Sequence, residues 1–171
     1  MLSVTSIKAA GSIILAGIIF VSGLSPSAAQ DPPEDNLDWV GVERALRLAS
    51  QNDKLILIDV YAEWCPYCQR MQEEVYPDDS VGALIRKYFI PVRINTESDE
   101  PVNYLGNAFT HAEFATALNN QGVPTIYFMN QQGEVVGQQP GFLPVDVFSS
   151  LLEYVGSGAF ENQTFEEFEN R

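Results

Sequence analysis

Residues 55–68 read LILIDVYAEWCPYC, and this stretch decides the fold. Its first half, 55–61, is almost continuously apolar, which predicts a strand buried on both faces. Cys65 and Cys68 follow, and they are the only two cysteines in the chain. A thiol where a strand gives way to a helix lies against unsatisfied N–H groups, whose partial positive charge favours the thiolate. Because the second thiol lies one helical turn further on, it can attack a mixed disulfide formed by the first, and the pair predicts a reversible dithiol/disulfide couple.

Other uses of the two cysteines fit the sequence less well. A structural disulfide would close a very small ring, which the chain-entropy estimate credits with only about 2 kcal/mol. A zinc site needs four ligands, and beyond residue 29 the only further nitrogen or sulfur donor besides methionine is His111, which we expect to face solvent. Attachment of c-type haem needs a histidine after the second cysteine, where the chain has Gln69. We predict no metal ion and no cofactor.

The first 29 residues have the pattern of a signal peptide. Lys8 supplies a sparse positive region, residues 9–24 are apolar, and the small residues 27–29 offer a cleavage site before Gln30. The apolar stretch is shorter than the roughly 20 residues that span a bilayer comfortably. We therefore expect export to the periplasm and cleavage, with an uncleaved membrane anchor as the alternative.

Length and composition predict one acidic domain. The chain has 171 residues, 46% of them hydrophobic, which is enough for a sizeable core. Its formal net charge of −14 disfavours binding to nucleic acid or an anionic membrane. We predict a flexible leader over 30–36, the domain over 37–156 and a C-terminal tail over 157–171. The tail either docks through its phenylalanines or frays.

Hydrophobic periodicity and turn residues predict the order α-β-α-β-α-β-β-α. Four helices are expected, near residues 38–52, 66–76, 110–118 and 144–156, with the second continuing or restarting over 81–88. Strands are expected over 55–61, 89–95, 124–129 and 134–138. Two strands joined through a helix form a right-handed parallel pair, and the final hairpin adds antiparallel strands. The fold class is α/β, with a mixed central sheet of about four strands flanked by helices. Residues 96–107 are expected to form an irregular connection.

The motifs around the cysteines resemble those of the thioredoxin superfamily. Residues 59–68, DVYAEWCPYC, match its pattern of a buried acid, an aromatic residue, Ala-Glu-Trp and CxxC. Residues 122–125, GVPT, match its loop with a cis-proline facing the disulfide. The resemblance covers about residues 37–155 and implies the thioredoxin fold. Within the superfamily, the C-terminal part is most similar to exported SoxW-like proteins.

The motifs and their positions suggest roles for the two cysteines and for the charged residues Asp59 and Arg93. Cys65 is expected to attack, because the first thiol lies nearest solvent and its pKa should fall below the free value of about 8.5. Cys68 should be shielded and resolve the mixed disulfide. Asp59 lies in an apolar strand, so burial should raise the pKa of its carboxyl, and the resemblance implies that it accepts the proton of Cys68. Arg93, where thioredoxins have a lysine, either pairs with Asp59 or lies on the surface.

The resemblance also implies a substrate-binding surface. We expect a cis peptide bond before Pro124, which would leave the backbone of Val123 free for an extended substrate peptide. Trp64 and Tyr67 would form an apolar rim, although ordinary partial burial is an equal alternative for Tyr67. The dipeptide between the two cysteines, Pro66-Tyr67, is that of glutaredoxins, but the glutathione-binding segment of glutaredoxins is absent from this chain.

The leading hypothesis is a monomeric periplasmic thiol–disulfide oxidoreductase. It would reduce disulfides of exported proteins through the CPYC dithiol and draw electrons from a membrane donor, as the resemblance implies. The alternative within the enzyme class is an oxidase that donates its disulfide to client proteins. Both remain open because small differences in reduction potential decide the direction of electron flow. A non-catalytic binding or redox-sensing module is a third reading. A copper chaperone fits less well, because no His or Met cluster lies next to the motif.

Overall fold

The computed structural model describes residues 36–170. The predicted signal peptide, 1–29, lies outside the described residues, as does all of the predicted leader except Asn36. Within the described part, no helix is both long enough and apolar enough to cross a membrane.

The described chain alternates helices and strands in the predicted order, with additions at two places. The helices are α1 Val42–Asn52, α2 Pro66–Arg70, α3 Asp79–Tyr88, α4 His111–Ala117, α5 Val145–Gly156 and α6 Phe165–Glu169. The strands are β1 Leu55–Tyr61, β2 Phe89–Asn95, β3 Pro101–Tyr104, β4 Asn107–Thr110, β5 Thr125–Met129 and β6 Val135–Pro140. A π-helical turn, Met71–Val75, continues α2, and a 3-10 turn, Ala159–Glu161, follows α5.

The central sheet has four strands in the order β2-β1-β5-β6. β1 is parallel to β2 and antiparallel to β5, and β6 pairs with β5 as a hairpin. The predicted mixed sheet of four strands is confirmed. Because successive side chains point to opposite faces, Leu57 belongs to the core beneath α3 and α5, while Ile56 and Ile58 belong to the core beneath α1. β1 is buried on both faces, as its apolar run predicts.

The first helix begins later than its sequence pattern predicts. Asp38 does not cap it; α1 starts at Val42, and its N-cap residue Gly41 makes no side-chain bond. The preceding segment instead runs along β2, where the N–H of Val40 donates to the carbonyl of Pro91 at 3.0 Å. Because β2 provides the hydrogen-bond acceptor for the N–H of Val40, this group does not need a helical partner. The prediction of a helix from residue 38 is wrong. This path places Trp39 beside the sheet.

The connection after β2 is not irregular. It contains the hairpin β3–β4, whose two turn residues, Leu105 and Gly106, have φ of 48° and 81°. Two left-handed residues suit the twist of a tight hairpin, but leucine rarely occupies such a position, so the turn had no recognisable signal. The ring of Tyr104 packs against that of Phe114 at 5.1 Å, and its hydroxyl donates to the carbonyl of Gly133.

The C-terminal tail docks on α5. The ring centroids of Phe165 and Phe168 each lie 5.3 Å from that of Tyr154. Thr164 and Glu167 form a capping box that begins α6. Of the two alternatives for the tail, docking is confirmed.

Candidate active site

The two cysteines lie where β1 passes into α2. Cys65 is the N-cap of α2 and Pro66 is its first residue, where the fixed φ of proline suits a helix start. The Cys65 sulfur accepts a hydrogen bond from the N–H of Cys68 at 3.2 Å. The two cysteines form a disulfide, with their Cα atoms 5.2 Å apart. The predicted strand-to-helix position of the pair is confirmed.

Both cysteines are buried in this disulfide form. Cys65 is 3% exposed and Cys68 is 1% exposed, and Ala62 packs with them. Tyr61 and Val123 pack against this cluster. The shielding expected for Cys68 is confirmed, but the expectation that Cys65 lies open to solvent is wrong for the disulfide state.

An exposed aromatic residue directly precedes each cysteine in the chain. Trp64 and Tyr67 are 66% and 57% exposed, and Pro66 is exposed between them. The ring of Tyr67 lies 6.3 Å from that of Phe142, and the guanidinium of Arg70 lies over Phe142 at 4.1 Å. Partial burial, the alternative for Tyr67, is wrong. Phe142 and Arg70 were missed by the sequence analysis, because only the fold brings the loop before α5 next to α2.

The loop before β5 faces the cysteines. The Val123–Pro124 peptide bond is cis, which confirms the prediction. Among residues 36–170, the backbone N–H and C=O of Val123 make no hydrogen bond. The hydroxyl of Thr125 donates to the carbonyl of Gly122 at 2.8 Å and holds the loop. Beside it, a groove of about 280 Å³ runs between the loop and the end of β6, and Gly141 lies at its edge.

Asp59 and Arg93 form an ion pair between the neighbouring strands β1 and β2. They occupy matching positions of the parallel strands β1 and β2, so their side chains leave the same face of the sheet. The Nε of Arg93 donates to Oδ2 of Asp59 at 3.3 Å. The side chains are 23% and 2% exposed, respectively. Burial of the acid and its pairing with Arg93 are confirmed, and the alternative of a surface arginine is wrong.

Three aromatic rings surround the guanidinium of Arg93, and we call them the aromatic box. The ring centroids of Tyr61, Trp39 and Tyr76 lie 4.6, 4.9 and 5.9 Å from its central carbon. Burial raises the pKa of the Tyr61 phenol above its ordinary value, and the positive charge of Arg93 opposes that shift. The sequence analysis missed the box because its rings come from three separate segments.

His111 is not the solvent-facing residue that its sequence position suggests. Its Nδ1 accepts a hydrogen bond from the N–H of Asn95 at 3.2 Å, and its Nε2 lies 4.0 Å from a carboxylate oxygen of Glu100. Burial lowers the pKa of His111, against a smaller opposing effect of Glu100. The Nδ1 acceptor role requires the tautomer with its proton on Nε2. Across residues 36–170, no group of three His, Cys, Asp or Glu side chains is arranged to hold a metal ion.

The comparison with known families agrees with this geometry. The family described as the thioredoxin-like domain matches residues 42–156, which is more than half of the chain. The chain belongs to this family. The matched region of this thioredoxin-like domain includes both cysteines, the buried ion pair and the cis-proline loop.

Curated relatives of the thioredoxin-like domain are much longer proteins. The thiol:disulfide interchange protein DsbD of Haemophilus influenzae is 27% identical over 108 residues, which are 62% of this chain and 17% of that protein. DsbD of Pasteurella multocida is 29% identical over 112 residues, which are 64% of this chain and 18% of that protein. The chain thus spans less than a fifth of the length of these relatives.

Solved structures show the same fold. A thioredoxin from Thermus thermophilus superposes with a TM-score of 0.56 at 28% identity, covering 70% of this chain and 86% of that one. A thioredoxin-fold protein from Helicobacter pylori superposes with a TM-score of 0.57 at 23% identity, covering 70% of this chain and 80% of that one. The predicted thioredoxin fold is confirmed, while the narrower similarity to SoxW-like proteins stays a prediction.

Proposed function

We propose that this thioredoxin-like domain catalyses thiol–disulfide exchange, with Cys65 and Cys68 alternating between dithiol and disulfide. The observation that carries the proposal is the disulfide at the N-terminus of α2, against which the loop of cis-Pro124 packs through Val123. The buried Asp59–Arg93 pair joins the strand that leads into this helix to its neighbour. The printed names of the relatives, thiol:disulfide interchange proteins, support the same chemistry.

In the first step, Cys65 of the reduced protein attacks as a thiolate. Its sulfur forms a bond to one sulfur of a client disulfide while the client S–S bond breaks, and the departing client thiolate takes up a proton from water. The N–H of Cys68, which donates to the Cys65 sulfur in the disulfide form, is placed to stabilise negative charge on that sulfur. The product is a mixed disulfide.

In the second step, Cys68 resolves the mixed disulfide. Its thiol gives its proton to the carboxylate of Asp59, and its thiolate attacks the Cys65 sulfur. The bond to the client breaks, and the second client thiolate takes up a proton. Two electrons have then passed from the protein to the client, whose two thiolates take their protons from water, and Asp59 releases the Cys68 proton to water. An external dithiol must reduce the Cys65–Cys68 disulfide for another cycle.

The substrate-binding surface would hold an extended client segment. The unused backbone groups of Val123 suit strand-like pairing with a peptide, and Trp64 and Tyr67 offer exposed rings beside the disulfide. Pro66 and Pro124 complete the surface. A client segment bound here would bring its disulfide to Cys65.

We further propose that the protein acts as a reductase in the periplasm. Its clients would be disulfide-bearing exported proteins, and its electrons would come from a membrane donor. The N-terminal signal pattern supports export, and the relatives' printed name, thiol:disulfide interchange protein, supports the exchange chemistry alone.

Three measurements test the proposal. The dithiol form should reduce insulin disulfides, whereas Cys65→Ser should not, and Cys68→Ser should accumulate mixed disulfides with clients. Titration of the Cys65–Cys68 couple tests the direction, because a potential above roughly −150 mV would contradict a reductase and indicate an oxidase. If the wild-type protein reduces nothing and Cys68→Ser traps no client, the protein is a binding module instead.

A further inference from the structure

We propose that Arg93 is a positioning residue for this exchange reaction, and that the aromatic box holds its guanidinium against Asp59. The inference rests on the proposed function, because it concerns the proton acceptor for Cys68. Its new element is the box, which makes the segment before α1 part of the catalytic apparatus through Trp39.

The ion pair alone does not hold the guanidinium in place. Arg93 makes one hydrogen bond to Asp59, at 3.3 Å through Nε. Its Nη2 is buried and has no hydrogen-bond partner among residues 36–170. A buried cationic N–H group without an acceptor destabilises the fold unless another electron-rich group takes the place of the acceptor. The faces of aromatic rings can do so, through attraction between the cation and the ring quadrupole.

The box fits a planar cation. The rings of Tyr61 and Trp39 both lie within 5 Å of the guanidinium carbon. A flat, delocalised guanidinium can stack on such rings while its Nε–H points at a carboxylate. A lysine ammonium keeps the charge but cannot combine these contacts, because it is a compact and strongly hydrated point charge. The structure therefore gives a reason for arginine at this position.

The box joins three parts of the chain around the site. Tyr61 ends β1 and packs against the cysteine cluster, while Tyr76 follows the π-helical turn that continues the cysteine helix. Trp39 comes from the segment that Val40 ties to β2, and its ring meets that of Tyr76 edge-on at 5.3 Å. Loss of Trp39 would open one side of the box without touching either cysteine.

The charge of Arg93 sets when Asp59 can act as a base. Burial disfavours a carboxylate, and a neighbouring opposite charge favours it. The other titratable groups around the pair are the phenols of Tyr61 and Tyr76, together with the exposed carboxylates of Glu63 and Glu100, which act on Tyr61. Removal of the Arg93 charge leaves a buried acid that protonates more readily. Because only the carboxylate accepts a proton, the acidic limb of the rate profile should move to higher pH.

The test measures insulin reduction between about pH 5 and pH 9, the range in which an acid–base limb is readable. Arg93→Leu should move the midpoint of the acidic limb up by about 1 pH unit or more, the effect of losing one close opposite charge. Arg93→Lys and Trp39→Leu should move it in the same direction by less. Arg47→Leu, the same change on the exposed face of α1, is the matched control and should leave the limb in place.

Coupling to Asp59 separates positioning from a general structural role. In an Asp59→Asn background, Arg93→Leu should not move the limb further, since the base is already gone. Arg93→Lys keeps the charge and provides a folded variant if Arg93→Leu fails to fold. If Arg93→Lys and Trp39→Leu both lower the rate equally at every pH, positioning is wrong although the exchange activity stands. A wild-type protein that reduces nothing at any pH overturns the proposed function instead.

Discussion

Two arginines of this protein make similar contacts in different surroundings. Arg93 pairs with Asp59 and stacks on aromatic rings inside the protein, with the carboxylate 2% exposed. Arg70 pairs with Glu74 at 2.8 Å and lies over Phe142 at the surface, where the paired side chains are 45% and 50% exposed. The surface pair has the shorter and bidentate contact.

The comparison shows that burial, not contact distance, decides what an ion pair does. Water and salt screen the surface pair, so its removal leaves two solvated groups. Removal of one partner of the buried pair leaves a charge that water cannot reach. The buried pair of Arg93 and Asp59 can therefore control the protonation of the acid. The surface pair of Arg70 and Glu74 chiefly orients a flexible side chain beside Phe142.

The largest effect is expected for Arg93→Leu. Because it leaves Asp59 buried without its cation, it should lower the free energy of unfolding by about 3 kcal/mol at neutral pH. Urea unfolding of the disulfide form measures this. The double variant Asp59→Leu with Arg93→Leu should recover much of the loss, since apolar replacement of a buried pair is often tolerated. No recovery would mean that the loss is one of packing.

A smaller effect is expected for Trp39→Leu. It removes a cation–π contact and the edge contact with Tyr76, which together should be worth about 2 kcal/mol in the free energy of unfolding. The same urea experiment measures it. In an Arg93→Leu background the loss should shrink, because the cation is then absent. Equal losses in both backgrounds would show that Trp39 contributes only through its burial.

His111 extends the comparison to a partly buried base. Burial lowers its pKa in the folded protein, so the unfolded chain binds more protons just below its free pKa of about 6.5. Stability should therefore be full above that pH and fall as the pH drops toward the folded pKa. His111→Gln should flatten this part of the stability profile. A wild-type profile that is already flat between pH 7 and the acidic limb, about pH 4, would contradict the expectation.

The smallest effect is expected at the surface pair. The hydrogen bond from Arg70 lowers the pKa of Glu74, so its contribution is present at neutral pH and is lost as the pH falls through that lowered value. Glu74→Gln should change the unfolding free energy only slightly at low salt and not measurably at high salt. If Glu74→Gln lowered the free energy of unfolding as much as Trp39→Leu does, and equally at low and high salt, the contrast between the surface pair and the buried pair would be wrong.

Features that depend only on neighbouring residues could be predicted from the sequence. The apolar run of β1 and the helix start that follows Cys65 each depend on neighbours within a few residues. The same holds for the motif that identified Pro124 as cis. Asp59 could be predicted to be buried because a lone acid in such a run has no solvated face.

Contacts between distant segments were not predictable in this way. The non-helical path of residues 37–40 depends on an edge strand that lies some fifty residues along the chain, as in the bond from Val40 to Pro91. The hairpin turn at Leu105 has left-handed backbone without the usual glycine or asparagine at that position. The bond of His111 to Asn95 likewise depends on how the hairpin folds back.

The sequence by itself determined the individual strands of the central sheet, the place of the two cysteines and the identity of the buried acid, because strand periodicity and helix starts follow from neighbouring residues. Only the tertiary structure decided that Arg93 reaches Asp59, that Trp39 closes a box around the guanidinium and that both sulfurs are covered. Those features depend on which strands become neighbours and on how much water remains between them. No stretch of the chain specifies either property alone.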